Sequence, residues 1–227
     1  MTALADLARD RGVTRLIHFT PGRNLPHIID DGALRPAAEL GGDEHAHFTV
    51  TDQTRRDGFP DRTCCSIEFP NPYYLRQAQG RPDARPYPDW VALLLTVDLL
   101  DRPGSLLSQR NAAAGTAVPA NRSSFQALYA PRVQSHRVYQ RSRMHLPEAP
   151  TDMQAEALIP RHIDLSQVAG LLFPSMDMLR DVRAHLNQIG RTPPTHWRWL
   201  HSPEAFDADR LRRCIYRGIR PEEHEHA

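Results

Sequence analysis

The run from Trp90 to Val97, WVALLLTV, is the strongest constraint in this sequence on what the chain can fold into. It is far too short to span a bilayer, and it does not alternate, so it reads as a strand covered on both faces, through Asp98. A strand of that kind needs layers above and below it, and the rest of the chain has to supply them.

Shorter strand signals flank it. Thr14 to Thr20 alternates, Cys64 to Phe69 reads as a second strand stopping at Pro70-Asn71-Pro72, and Gln154 to Ile159 reads as another. Helical patterns cover residues 1–13, closed by Gly12, then Asn24 to Asp31, closed by Gly32. A further amphipathic helix runs from Met176 to Ile189, with Leu179, Val182, Leu186 and Ile189 inward. Between them lie long polar stretches: 35–62, the proline-rich segment from Gln77 to Asp89, and 101–150, where only Ser123 to Tyr129 reads as helix. Glu222 to Ala227 reads as a frayed charged tail.

Strands spread among helices without a βαβ rhythm, and without a glycine-rich fingerprint after a strand, predict an α+β domain rather than a doubly wound one. At 227 residues the chain has the length of a single domain. The N-terminus lacks the basic start and apolar stretch of an export signal, so the expectation is a cytoplasmic protein with no membrane partner. Three cysteines, two adjacent, form neither a disulfide framework nor a zinc spacing and read as packing groups. His45/His47 and His224/His226 lack a convincing third ligand, so no metal is expected.

All 28 basic residues are arginine. Codon usage explains that by itself, but arginine's planar donor fork also suits phosphates and base edges. A net charge of +1 does not exclude nucleic acid, because a local stripe suffices. From Asn121 to Met144, Arg122, Arg132, Arg137, Arg141 and Arg143 lie among Phe125, Tyr129 and Tyr139, a mixture suited to holding single strands, or simply a solvated loop.

On a strand, Gln154 and Glu156 would share one face, and so would His18 and Thr20. A carboxylate on such a strand is either an exposed surface group or a functional one, and His18 alone is either structural or ligand-binding.

Four segments, in order, resemble the DarT-type DNA ADP-ribosyltransferases. They are His18-Phe19-Thr20 with Asn24-Leu25-Pro26 and Gly32; Arg56-Asp57-Gly58 leading into Ser66-Ile67-Glu68-Phe69-Pro70-Asn71; Asn111-Ala112-Ala113; and Thr151-Asp152-Met153-Gln154-Ala155-Glu156-Ala157-Leu158-Ile159. The resemblance implies an ADP-ribosyltransferase core, a split and mostly antiparallel sheet with flanking helices, that uses NAD⁺ as a substrate and needs no metal. It implies Glu156 and Arg56 as catalytic residues, with Arg55 and Arg62 as competing assignments for the arginine. His18, Thr20, Asn24, Leu25, Arg56 and Ser66 are then expected around NAD⁺, and Gln154 at the acceptor base. Glu156 and His18 are expected to face one pocket.

By the same resemblance the acceptor is thymine or guanine in single-stranded DNA, the protein is a toxin, and its partner is an antitoxin of macrodomain or NADAR type that reverses the modification. Two other readings stay open. One is NAD⁺ chemistry on RNA, protein or water. The other is a nucleic-acid-binding module that keeps the fold without catalysis.

Overall fold

The computed structural model describes residues 3–40, 57–79 and 89–226. In chain order the helices are α1 (Leu4–Asp10), α2 (Leu25–Asp30), α3 (Pro72–Gln79), α4 (Arg122–Ala127), α5 (Met176–Gln188) and α6 (Ala208–Arg217). The strands before the site are β1 (Arg15–Pro21), β2 (Ala33–Leu34), β3 (Arg62–Ile67), β4 (Trp90–Thr96), β5 (Leu106–Ser108), β6 (Val118–Pro119), β7 (Arg132–Gln134) and β8 (Val138–Gln140). They continue with β9 (Glu156–Pro160), β10 (Ile163–Asp164), β11 (Val168–Phe173), β12 (Arg198–His201) and β13 (His224–His226).

Nine of these strands form one sheet, in the order β13-β12-β11-β4-β1-β3-β9-β5-β6. Only β11 and β12 run parallel; every other pair is antiparallel. The apolar run is β4, between β1 and β11, where both faces are covered and alternation is not needed. One face carries Leu16, Leu93, Leu95, Ala157 and Leu171 and packs against α1, α2 and α5. The other carries Ile17, Phe19, Trp90, Leu94 and Leu172 and packs against Leu75 of α3. This is the expected α+β architecture with a mostly antiparallel sheet.

The sheet divides at one place. β1 pairs with β4 from Arg15↔Thr96 to Pro21↔Trp90, and β3 pairs with β9 from Arg62↔Pro160 to Ser66↔Glu156. Between β1 and β3 the only rungs are Leu16↔Ile67 and Ile17↔Ser66. Past them the two halves of the sheet part company.

Several expectations are corrected. The strand expected from Gln154 begins at Glu156, because Asp152 folds the preceding residues into a turn: its Oδ1 accepts the Gln154 N–H at 3.0 Å and its carbonyl the Ala155 N–H at 3.0 Å. The loop expected from Gln77 overlaps the end of α3, which Asn71 starts by accepting the Tyr74 N–H at 3.2 Å. Ile189 lies past the end of α5 and is 38% exposed rather than inward. The stretch 101–150 is not one loop, since it holds β5 to β8 and α4, the last with an Asn121/Ser124 capping box.

The frayed tail is also corrected, because residues 224–226 form the edge strand β13 on β12. Ion pairs hold this end in place. Arg198 pairs with Glu225, Arg15 with Glu223, and Arg220 bridges Glu68 and Glu148. Glu68 is fully buried at φ +62, directly after β3, and also accepts the Thr14 N–H at 2.6 Å. A buried carboxylate needs such partners, so the C-terminal segment is part of the core's electrostatics rather than an appendage.

Candidate active site

Glu156 opens β9 and lies in the cross-strand row Ile17, Ser66, Glu156, Ser108. Its carboxylate is held from the side of the sheet's β5 edge. Oε2 accepts the backbone N–H of Ala112 at 2.7 Å, and Oε1 accepts the Asn111 side-chain amide at 3.3 Å. Asn111 is itself fixed, because its Oδ1 accepts the Ala113 N–H at 3.0 Å and so caps a single helical turn over Ala112–Ala114. Asn111 and Ala112 were visible only as a motif; that they orient Glu156 required the fold. The sequence signal for it was an asparagine followed by three alanines, a cap before a short helical turn.

On β1, His18 lies one residue past the last β1/β3 rung. Its Nδ1 donates to the Cys64 carbonyl of β3 at 2.9 Å, which fixes a proton on Nδ1. The expectation that Glu156 and His18 face one pocket needs restating. In an unbroken ladder Ile17 and Glu156 would share one face and His18 would take the other. The ladder stops before His18, and its ring reaches across the seam to the Cys64 carbonyl, so strand alternation alone no longer fixes how His18 and Glu156 are placed relative to each other.

Thr20 and Asn24 are both buried, and the Asn24 amide donates to the Thr20 hydroxyl oxygen at 2.8 Å, tying the end of β1 to the start of α2. Leu25, expected beside NAD⁺, is fully buried in the core and serves to seat α2. Ser66 is buried in the row with Glu156, in the last rung between β1 and β3. Arg55 and Arg56 lie outside the described residues. Arg62 sits at the far end of β3, opposite Pro160, where it pairs with Asp61 and reaches the Gly104 carbonyl, so it is placed away from Glu156.

Gln154 is half-buried in the turn set by Asp152, two residues before Glu156 but not on its strand face. Asp152 has no exposed surface, and its Oδ2 has no hydrogen-bond partner among the described residues. Burial pushes this carboxyl up, against the opposing pull of the Gln154 N–H; Ser135 and His136, between β7 and β8, approach it from the hairpin.

The expected single-strand surface from Asn121 to Met144 divides. Arg122, Arg132, Arg137 and Arg143 are exposed. Arg141 is not available, because its guanidinium donates to the carbonyls of Ala149 at 2.6 Å, Leu146 at 2.5 Å and Pro147 at 3.0 Å. Phe125 and Tyr129 belong to the core, and Tyr139 is 7% exposed with its hydroxyl at His136. The open stacking loop read from the sequence is therefore corrected to a hairpin with its rings mostly turned in.

Burial, and secondarily the Glu156 charge, push the Cys65 thiol far up, so this cysteine is an inert packing group. Cys64 lies at 3.1 Å from Asp57 Oδ2, and Cys214 at 3.8 Å from Glu204. His45 and His47 lie outside the described residues, and His226 is bonded to His201 at 2.8 Å. Among the described residues no group of three or more His, Cys, Asp or Glu side chains is placed to hold a metal, and no helix is long and apolar enough to cross a membrane.

The profile of a family described as "DarT: ssDNA thymidine ADP-ribosyltransferase, DarT" matches residues 17–200. Among solved structures, Thermus sp. 2.9 DarT in complex with ADP-ribosylated ssDNA aligns with a TM-score of 0.54 at 16% identity, over 80% of this chain and 92% of that one. The same protein in complex with NAD⁺ aligns at 0.51 and 15%, over 79% and 92%. Thermosipho africanus DarTG in complex with ADP-ribose aligns at 0.54 and 14%, over 85% of this chain but 51% of that one. These likenesses concern the fold. No curated protein matches the sequence.

Proposed function

The chain belongs to the DarT family of single-stranded-DNA thymidine ADP-ribosyltransferases, and we propose how its own residues divide the work of moving ADP-ribose from NAD⁺ to thymine. The single observation that carries the reading is the anchoring of the Glu156 carboxylate by Ala112 and Asn111, beside the row that ends at the β1/β3 seam.

The bond between ribose C1 and the nicotinamide nitrogen breaks, and nicotinamide leaves with the electron pair. Positive charge grows on the ribose, and a carboxylate already held by two donors stabilises it without first reorganising. Glu156 takes that role. The base of thymidine carries one N–H, at N3, and the new bond joins that nitrogen to ribose C1. The N3 proton must leave as the bond forms, and Glu156 receives it as general base.

His18, Thr20, Asn24 and Ser66 hold NAD⁺ in the opening between the half-sheets. Arg56 neutralises its phosphates or steadies the incoming base. Gln154, in the turn before Glu156, reads the base edge with its amide. An exposed arginine set at Arg122, Arg132, Arg137 and Arg143 takes the DNA backbone, and a base presented from a single strand needs no extraction from a duplex stack.

Modified DNA is harmful to the cell that makes it, so the protein acts as a toxin, in the cytoplasm where NAD⁺ and DNA both occur. Its partner is an antitoxin, and an ADP-ribosyl hydrolase of macrodomain or NADAR type would reverse the linkage.

The test is mass spectrometry of oligonucleotides after incubation with NAD⁺. The expected result is one ADP-ribose on thymine-containing single strands, none on strands lacking thymine, and none with Glu156→Ala. Labelling of RNA or protein, or release of nicotinamide with all DNA unmodified, would overturn the reading.

A further inference from the structure

Beside the turn that carries Gln154, three elements bring aromatic and cationic groups together. Tyr73 comes from α3, Arg212 and Tyr216 from α6, and Arg137 and Tyr139 from the β7–β8 hairpin. α3 and α6 touch, and Tyr73 packs on a small core made by Phe69, Met153, Leu211 and Ile215. The Arg137 guanidinium lies 4.7 Å from the centre of the Tyr139 ring. The electrostatic neighbours of the Tyr73 hydroxyl are Arg212, Tyr139, Arg137 and Tyr216, and the Tyr216 hydroxyl has the same surroundings with Asp152 added. His145, five residues past the hairpin, lies with its ring 5.2 Å from the Tyr216 ring, and the Leu146 N–H donates to the Ile215 carbonyl at 3.0 Å, so the hairpin side adjoins α6 and the five side chains share one patch.

Its chemistry is specific. Tyr73 and Tyr216 are half-buried, so each ring is braced yet partly open to solvent, while Arg137 is exposed and the Arg212 side chain is 43% exposed. Tyr139 forms the floor. Rings with open faces interleaved with guanidinium groups fit stacked bases joined by phosphates, and the cationic rim disfavours an apolar or basic partner. Position matters as well. Met153, in the core beneath the patch, directly precedes Gln154 in sequence. A strand whose target base sits at Gln154 and Glu156 thus has its neighbouring nucleotides over this patch.

We infer that the ledge formed by Tyr73, Tyr139, Tyr216, Arg137 and Arg212 binds the nucleotides flanking the modified thymine. The inference rests on the single-stranded-DNA reading above and goes beyond it, because Arg212 and Tyr216 lie past residue 200, where the family match ends.

The experiment compares two thymine-containing oligonucleotides, one of a few nucleotides around the target base and one with long flanks. Wild type, Tyr216→Ala, Tyr216→Phe and Arg212→Glu are measured for KM and kcat on both. Loss of one stacked base or one phosphate contact raises KM for the long strand by about tenfold or more. The expected result is that rise for Tyr216→Ala and Arg212→Glu, with the short strand's KM and kcat unchanged and Tyr216→Phe close to wild type. The short strand reports on folding and chemistry in the same samples, and Arg212→Glu, a surface change, decides the matter if Tyr216→Ala does not fold. Equal effects on both strands, or none on either, would overturn the ledge. Failure of wild type to modify any DNA would instead overturn the function it rests on.

Discussion

The backbone N–H of Ala112 donates to the Glu156 carboxylate at 2.7 Å, so the key side chain of β9 is oriented by a group that no substitution other than proline removes. The Asn111 amide supplies the second, longer contact at 3.3 Å. The two donors have different vulnerabilities, and they make the proposal for Glu156 separable from a purely structural role.

Glu156→Gln keeps an oxygen for Ala112 and removes only the charge and the basicity. It should leave thermal stability close to wild type while lowering kcat by about a hundredfold or more, the usual size of a lost electrostatic contribution. Asn111→Ala removes one orienting donor and a helix cap, and should lower kcat by about tenfold with KM for NAD⁺ little changed. An unchanged kcat in Glu156→Gln would sink the assignment.

His145 supplies a pH dependence. It is 5% exposed, and burial first, then the Arg141 charge, hold it down near 4. The unfolded chain takes up a proton at the ordinary histidine value of about 6.5, before the folded one does. Stability is therefore full above that value and falls as pH drops toward 4, by at most about 3 kcal/mol. Buried Asp152 acts in the opposite sense, because its folded value is raised: it binds its proton more readily when folded, so its cost appears as pH rises through that raised value. Urea midpoints at pH 7 and pH 5 check both. His145→Gln should flatten the fall toward acid, and Asp152→Asn should raise the midpoint at pH 7.

Arg220 pairs with both Glu68, with no exposed surface, and Glu148, which is 5% exposed. Arg220→Met keeps the stem and removes the charge, leaving two carboxylates buried without it. The two carboxylates are buried but the Arg220 side chain is 47% exposed, so solvent screens part of the pairing and the loss is about 1–3 kcal/mol, below that of a fully buried pair. Chemical denaturation should show that loss, and an unchanged midpoint would mean that the Thr14 donors suffice for Glu68 without the arginine.

Gly170 lies where β11 meets the parallel strand β12, and a Cβ there would fall 2.3 Å from the Arg198 carbonyl oxygen. Gly170→Ala must push the two backbones apart, with a penalty of about 1–3 kcal/mol as for other overpacked sites. The melting temperature reads the effect directly, and full retention of stability would show that the strand can shift without penalty.

Much of this was legible beforehand, for identifiable reasons. β4 announces itself because an interior strand covered on both faces has no polar alternation to hide it. α5 was readable from Leu179, Val182 and Leu186, which recur at helical spacing. α6 was missed although its signals were present: Asp207 accepts the N–H groups of Asp209 and Arg210, Gly218 closes the helix at φ +70, and Leu211 and Ile215 face inward. Its many arginines masked that stripe. β13 could not be read, since His224-Glu225-His226 becomes a strand only through pairing with β12 and the Arg198–Glu225 bridge, both non-local. Glu156 stood out by type, but its partners Asn111 and Ala112 come from the β5–β6 connection, 45 and 44 positions away.

Only two rungs join β1 to β3, beside joints five and seven positions long, and the His18 ring on the Cys64 carbonyl and the Glu68 N–H on the Arg15 carbonyl flank them. This joint has no more rungs than the β5/β6 pair at the sheet edge, is the shortest in the sheet's interior, and lies beside the row that carries Glu156. Amide protons of β3 on that side should exchange with solvent sooner than those of β4, and a bound dinucleotide spanning the gap should slow them, acting as the missing rungs.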